Sequence, residues 1–349
     1  MHIKRFSLLL IFLAILSSCE QDSEALRQGA DRTKAPEGMV WIPAGTYTIG
    51  REGPNAKRVE GPAYEVQVDG FWMDQTEVTN AQWREFVEAT GYKTVAERPV
   101  DWEEIKKQLP PGTPKPADSI LAPGSLVFQP NPAANLYDIS QWWAWVNGAD
   151  WQHPQGPGSS IDGKDDHPVV HIAYEDAQAY CKWADKELPT EAQWEIAARG
   201  GEGNKAFAWG EELTPQGKYL ANFYQGRFPD GNSAKDGYEK TAPVKSFAAN
   251  GFGLYDMIGN VWEWTSDWYR PDTHARNKAA GPRGCINPNG PSQSLDPNEP
   301  RVPKRVTKGG SFLCSERYCS NYRPSARMAT AFDSGQEHLG FRCVVNVSQ

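Results

Sequence analysis

Two cysteines near the C-terminus have the residue type and spacing that could do chemistry. Cys314 and Cys319 lie five positions apart in Gly-Gly-Ser-Phe-Leu-Cys-Ser-Glu-Arg-Tyr-Cys (309–319). That interval fits one face of a helix poorly, so a loop or tight bend is expected. Three chemistries are open to such a pair. It could form a structural disulfide, a redox disulfide, or a two-thiolate site for a soft, low-coordinate metal such as Cu(I). Zinc would ask for four protein ligands, or three and a water, and no histidine cluster lies nearby in sequence. On spacing alone the structural disulfide leads.

The other cysteines bear on that choice. His2, Lys4 and Arg5 give a positive start, and residues 7–16 are apolar but too short to span a bilayer comfortably. The stretch ends in Leu16-Ser17-Ser18-Cys19, which resembles the lipobox of bacterial lipoproteins. That resemblance implies a signal peptide over 1–18, lipidation of Cys19 and a polar tether over 19–37. The mature protein is then expected outside the cytoplasm, lipid-anchored to the cell envelope on the periplasmic or outer-membrane side. With Cys19 lipidated, Cys181, Cys285, Cys314, Cys319 and Cys343 remain. An odd number in an oxidising compartment leaves at least one thiol outside any intramolecular disulfide.

The elements that must position these residues are short. The chain has 349 residues, 39% hydrophobic and 23% charged, enough for a sizeable core. Its 14 Trp and 13 Tyr beside 32 Gly and 27 Pro suggest large rings tied together by loops. A net charge of −8 offers no basic stripe for a nucleic acid. Residues 39–50 read as strand, turn, strand, and 66–73 as one further strand. Thr79 and Asn80 offer an N-cap, with Trp83, Phe86 and Val87 at helical spacing and Gly91 as a stop. Residues 94–141 are rich in Pro and charge and show no period, a long excursion from the core. Ala177, Tyr180, Cys181 and Ala184 mark a helix over 174–185. Thr190 and Gln193 form a capping box for another, ended by Gly200 and Gly201. The remainder reads as short strands and loops. With no repeat and no internal linker, one large irregular α+β domain over 38–347 is expected, low in regular secondary structure.

Several runs resemble the formylglycine-generating enzyme family, also called sulfatase-modifying factors. They are Trp-Ile-Pro-Ala-Gly (41–45), Thr-Glu-Val-Thr-Asn (76–80), Asp-Trp-Gln-His-Pro-Gln-Gly-Pro (150–157) and Asp-His-Pro-Val-Val-His (166–171). Leu-Pro-Thr-Glu-Ala-Gln-Trp-Glu (188–195), Asn-Gly-Phe-Gly-Leu-Tyr-Asp (250–256), Gly-Asn-Val-Trp-Glu-Trp (259–264), Gly-Gly-Ser (309–311) and Leu-Gly-Phe-Arg-Cys (339–343) follow in order. The resemblance implies a C-type-lectin-like fold. It also implies an enzyme whose two thiols bind Cu(I), capture a substrate cysteine and activate O2, turning that cysteine into formylglycine. The implied substrate is an unfolded or extended sulfatase chain carrying Cys-x-Pro-x-Arg, and the enzyme is expected to be a monomer.

By the same resemblance Cys319 is the more buried, permanent ligand and Cys314 the one more open to exchange. Ser311 and Trp262 would line the pocket for oxygen and the substrate thiol. Tyr318 and Arg327 would position the peptide. Cys181 and Cys343 would form a disulfide. A second family disulfide, at positions matching Ala198 and Pro324, has lost both cysteines here, and Cys285 has no counterpart. Two structural calcium sites are implied, one on Asn222, Phe223, Asp236 and Tyr238, the other on Asp256, Gly259, Val261 and Glu263. Two other functions stay open on the same fold. A non-catalytic lipoprotein scaffold of the gliding-motility type is favoured by the anchor and opposed by the thiol pair. A sulfoxide synthase of the ergothioneine type would need a histidine-rich iron domain, and the chain has only 6 His.

Overall fold

The computed structural model describes residues 35–281, 285–316 and 318–347. Cys19 with the expected signal and most of the tether lies outside them. In chain order, β1 (Met39–Ile42), β2 (Gly45–Ile49), β3 (Tyr64–Val68) and β4 (Phe71–Asp74) lead into helix α1 (Asn80–Thr90). Next come the short α2 (Trp102–Ile105), β5 (Gly124–Phe128) and β6 (Trp143–Asn147). Helices α3 (Tyr174–Trp183) and α4 (Glu191–Arg199) follow, then β7 (Gly226–Arg227), β8 (Gly231–Asn232) and β9 (Trp262–Trp268). The chain closes with α5 (Thr273–Ala280), β10 (Lys304–Lys308), β11 (Met328–Ala331), β12 (Leu339–Gly340) and β13 (Val344–Asn346).

The helix caps follow the local sequence. Thr79 Oγ1 accepts from Gln82 N and Thr190 Oγ1 from Gln193 N, each in a capping box. Gly91 and Gly200 end those helices in the left-handed region, where a glycine carries no Cβ penalty. Three readings need correction. The run 66–73 is two strands, broken at Asp69-Gly70. A Cβ on Gly70 would lie 2.1 Å from the Trp41 indole, so that ring leaves room there for a glycine alone, and the chain passes there from one sheet to another. The 94–141 excursion contains α2 and β5, and β5 pairs with β6. A helix, α5, also interrupts the supposed strands and loops after residue 201.

Two small sheets carry the frame. One has the order β1-β4-β13, the other β11-β10-β9-β12. In the second, β12 runs parallel to β9 and sets Leu339 opposite Trp262. The largest apolar cluster gathers Trp83, Tyr180, Trp262, Trp264, Tyr322 and Phe341 around Cys181, Cys343 and Cys314. Aromatic burial of this kind supplies much area per residue, which is how short elements can still close a core. Behind β9 and β10 lies a buried ion network. Glu191 takes both arms of Arg327 at 2.7 and 2.6 Å, and Glu195 takes Arg199 at 2.6 Å and Lys308 at 3.0 Å. Leaving any of these charges alone would cost several kcal/mol.

Candidate active site

The thiol pair is built by a bend that follows β10. Gly309 and Gly310 have φ of 93° and 75°, and a Cβ on Gly310 would meet Tyr322 N at 2.9 Å. The chain is then pinned from both sides. Phe312 N donates to Asn260 O (2.9 Å), and Cys314 O accepts from Tyr224 N (3.0 Å). A single turn, closed by Cys319 N donating to Ser315 O at 3.0 Å, swings Cys319 back onto Cys314. The two free thiols are hydrogen-bonded to each other. The expected bend is present, and it is a thiol pair rather than a disulfide.

The burial order is the reverse of the one the resemblance implies. Cys314 is the buried member, 1% exposed, and Cys319 is only partly covered. The reason is local. Cys314 points into the aromatic cluster, whereas Cys319 sits at the outer end of the bend. Burial, then the hydrogen bond and charge of Cys319, push the Cys314 thiol well up. The hydrogen bond from Cys314 pulls Cys319 down, helped against burial by Lys57 and Asn321. Lys57 Nζ donates to Asn321 Oδ1 at 2.7 Å, and Asn321 Nδ2 donates to Cys319 Sγ at 3.3 Å. Glu60 holds Lys57 in place by accepting from its backbone amide at 3.0 Å and from Ser325 Oγ at 2.7 Å. Sequence reading missed Lys57 and Asn321. No local signal marks a lysine 264 residues from its partner.

Ser311 and Trp262 are brought to the pair. Both are buried, Ser311 N–H bonds the Cys314 sulfur, and Trp262 shares the apolar cluster with Cys314. Tyr318 is half-buried, stacked on Phe228 at 4.7 Å and edge-on to Trp142, and burial pushes its hydroxyl up to about 12. A cavity of about 230 Å³ adjoins the bend, walled by Phe128, Tyr224, Phe312 and Leu313 with Asp230, Glu239 and Lys240. Arg327 is a correction. It is buried, its guanidinium is filled by Glu191 and the Arg270 carbonyl, and it serves the core ion network rather than a peptide.

The expected Cys181–Cys343 disulfide is also corrected in form. The sulfurs meet at 2.9 Å as buried free thiols, not at the roughly 2 Å of a covalent bond. The two positions are adjacent as expected. Cys285 is buried beside Asn277, its thiol pushed up by burial.

Among the described residues no three His, Cys, Asp or Glu side chains converge as a metal-sized group. Any calcium would therefore rely on amide and backbone oxygens as well. The first implied site holds together: Asp236 accepts from Phe223 N (2.9 Å) and Tyr238 N (3.0 Å), and Asn222 Oδ1 is buried without a partner. In the second, Asp256 Oδ1 is likewise buried and bare, and Gly259 packs so closely on Asn222 O that a Cβ would lie 2.1 Å from it. Val261 is fully buried. Glu263 does not fit a metal. It is saturated by Arg342 (2.7 and 2.8 Å) and Trp194 Nε1 (2.7 Å). Glu77, which sequence reading did not single out, fits instead. Its Oε2 is buried and accepts no hydrogen bond, with Arg342 Nη2 3.9 Å away, its Oε1 accepts from Asn260 Nδ2 at 3.1 Å, and burial with the Asp256 charge drives it well up against the pull of Arg342. Two buried carboxylates with bare, mutually repelling oxygens are what a hard cation relieves.

Short strands and few helices make an irregular α+β fold. The structure of PvdO from Pseudomonas aeruginosa shares that fold, with a TM-score of 0.53 at 22% identity over 88% of this chain and 93% of that one. Residues 25–347 match the sulfatase-modifying factor enzyme 1-like domain, and the chain belongs to that family. A relative from Thermomonospora curvata named formylglycine-generating enzyme is 45% identical over 89% of this chain and 94% of its own. One of the same name from Mycobacterium tuberculosis is 44% identical over 88% and 97%. The cattle protein named inactive C-alpha-formylglycine-generating enzyme 2 is 35% identical over 87% of each chain.

Proposed function

We propose that this protein activates sulfatases by oxidising a cysteine in an extended Cys-x-Pro-x-Arg segment to formylglycine. The observation that carries the reading is the pair of free, mutually hydrogen-bonded thiols of Cys314 and Cys319, one buried and the other partly exposed. Relatives at 44–45% identity that are named formylglycine-generating enzyme support it. Two thiolates without a third side-chain ligand suit Cu(I), which favours soft, low-coordinate sites. Bound there, copper would supply affinity for the substrate thiolate and reactivity toward O2.

The chain's own residues do the rest. Cys319, the more open thiol, is the one an entering sulfur meets first. Ser311 and Trp262 wall the position beyond it, and burial keeps bulk water from the reacting carbon. Tyr318 flanks the approach with its stacked ring. In the net change the substrate carbon passes from thiol to aldehyde and its sulfur leaves as sulfide. O2 takes two electrons from the substrate and two from a pair of external thiols, which leave joined as a disulfide, and water forms beside the aldehyde.

Two calcium ions, at Asn222/Asp236 and at Glu77/Asp256, would brace the loops behind the pocket. The protein would work outside the cytoplasm as a monomer, on a lipid anchor at Cys19. The deciding experiment incubates Cu(I)-loaded protein with a Cys-x-Pro-x-Arg peptide in air and follows the thiol-to-aldehyde change by mass. Conversion that disappears in Cys319→Ser supports the reading. No conversion by the wild type, or full conversion by Cys319→Ser, sinks it and leaves a non-catalytic lipoprotein scaffold.

A further inference from the structure

Hydrogen bonds fix the loop 335–339, and one of its residues touches both Ser311 and Trp262. Glu337 anchors the loop by accepting from Phe128 N (2.8 Å), Gln155 Nε2 (3.1 Å) and Lys240 Nζ (2.5 Å). The next residue, His338, is buried. Its backbone carbonyl accepts from Trp262 N at 2.8 Å, and its Nδ1 lies 3.0 Å from Ser311 Oγ. The Trp143 ring packs on the imidazole at 4.8 Å and leaves it little room to turn.

The partners decide where the protons are. His338 Nε2 is 2.9 Å from Gln336 Oε1, and with that carbonyl oxygen as acceptor the arrangement assigns the hydrogen to Nε2. Burial and the neighbouring His171 push His338 down to about 3, so the ring is neutral. In a neutral ring with Nε2 protonated, Nδ1 is a bare lone pair. The Ser311 hydroxyl must therefore donate to it. Ser311 Oγ also accepts from Leu313 N at 3.2 Å. A hydroxyl has one hydrogen and two acceptor positions. Its hydrogen and one acceptor position are spent, and a single lone pair remains.

We propose that His338 is the positioning residue that holds Ser311 as a pure hydrogen-bond acceptor, so that its remaining lone pair receives the S–H of the incoming substrate cysteine. The inference rests on the sulfatase-activating reading for its substrate, but the His338–Ser311 pairing rests on the contacts of the ring and its neutrality and is independent of that reading. It explains why a buried imidazole, whose ring could be replaced by any apolar side chain if it only filled space, has both nitrogens engaged in one directed chain. A serine free to rotate could offer its own hydrogen to the thiol sulfur. One locked by His338 accepts, which selects a thiol that arrives protonated and aligns it beside the thiol pair.

Two measurements test this in the full-length protein. In the metal-free form, nitrogen NMR of the histidine rings should show an unprotonated His338 Nδ1 whose resonance moves in Ser311→Ala. With Cu(I) loaded and a Cys-x-Pro-x-Arg peptide, His338→Phe should lower kcat by about tenfold, the scale of one lost directed hydrogen bond, with thermal stability kept. His338→Asn, whose side-chain carbonyl can accept the serine hydrogen, should recover most of the rate. Adding His338→Phe to Ser311→Ala should cost nothing further. A protonated Nδ1, wild-type kcat in His338→Phe, or the full tenfold loss recurring in the Ser311→Ala background would each overturn the proposal. A wild type inactive on the peptide would instead remove the substrate reading, and the NMR result would still decide the pairing.

Discussion

Cys181 and Cys343 meet where α3 passes the entry to β13, both thiols buried, their sulfurs 2.9 Å apart. Cys314 and Cys319 meet across one turn of irregular chain, one thiol buried and the other half covered. The first pair lies on regular elements in an aromatic core. Burial, with the Cys181 partner and the Asp74 carboxylate, pushes Cys343 well up. The second pair has polar neighbours aimed at it: Ser311 N–H at Cys314, and Asn321 with Lys57 behind it at Cys319. Two thiol pairs, each in hydrogen-bond contact, thus differ in what surrounds them. Two buried thiols make a stitch, and a pair with one accessible thiol and amide donors aimed at it makes a reagent.

The largest expected effect separates the pairs by function. Cys319→Ser should cut formylglycine formation by about a hundredfold or more while leaving the urea midpoint almost unchanged. Cys181→Ala should do the opposite. In air its loss should cost about 2–5 kcal/mol of unfolding free energy, because the wild-type sulfurs can close a bond over a long loop, with kcat retained. Wild-type stability that is the same with and without reductant would break this half of the comparison.

Calcium removal should fall on the structural side. Chelation is expected to lower Tm by about 5 °C without altering Cys319 alkylation. Glu77→Gln should abolish the calcium-dependent part of Tm. Glu263→Gln should instead destabilise with or without calcium, because it strands Arg342. Equal calcium dependence in Glu77→Gln and wild type would remove Glu77 from the site. The smallest effect concerns reactivity. Lys57→Met should slow alkylation of metal-free Cys319 by about threefold at neutral pH, since its cation helps hold that thiol down, and leave Cys181 and Cys343 as resistant as before.

Much of this was legible in the chain. The capping boxes at Thr79 and Thr190 and the stops at Gly91 and Gly200 are local signals, and the helices form where they say. The bend between Cys314 and Cys319 follows from an interval no helix serves. Other features were not legible for equally physical reasons. The split at Gly70 depends on Trp41, a residue from another strand. The burial of Arg327 depends on Glu191, and the saturation of Glu263 on Arg342, each a long-range ion pair that turns an apparent ligand into framework.

The sequence by itself determined the reactive residues, their bend, the helix boundaries and an ordered motif set that marks the family. Only the tertiary structure decided which thiol is buried, which carboxylates are bare and which histidine faces Ser311. Those answers depend on burial and hydrogen-bond satisfaction. Both are properties of side chains brought together from distant parts of the chain, and no local pattern encodes them.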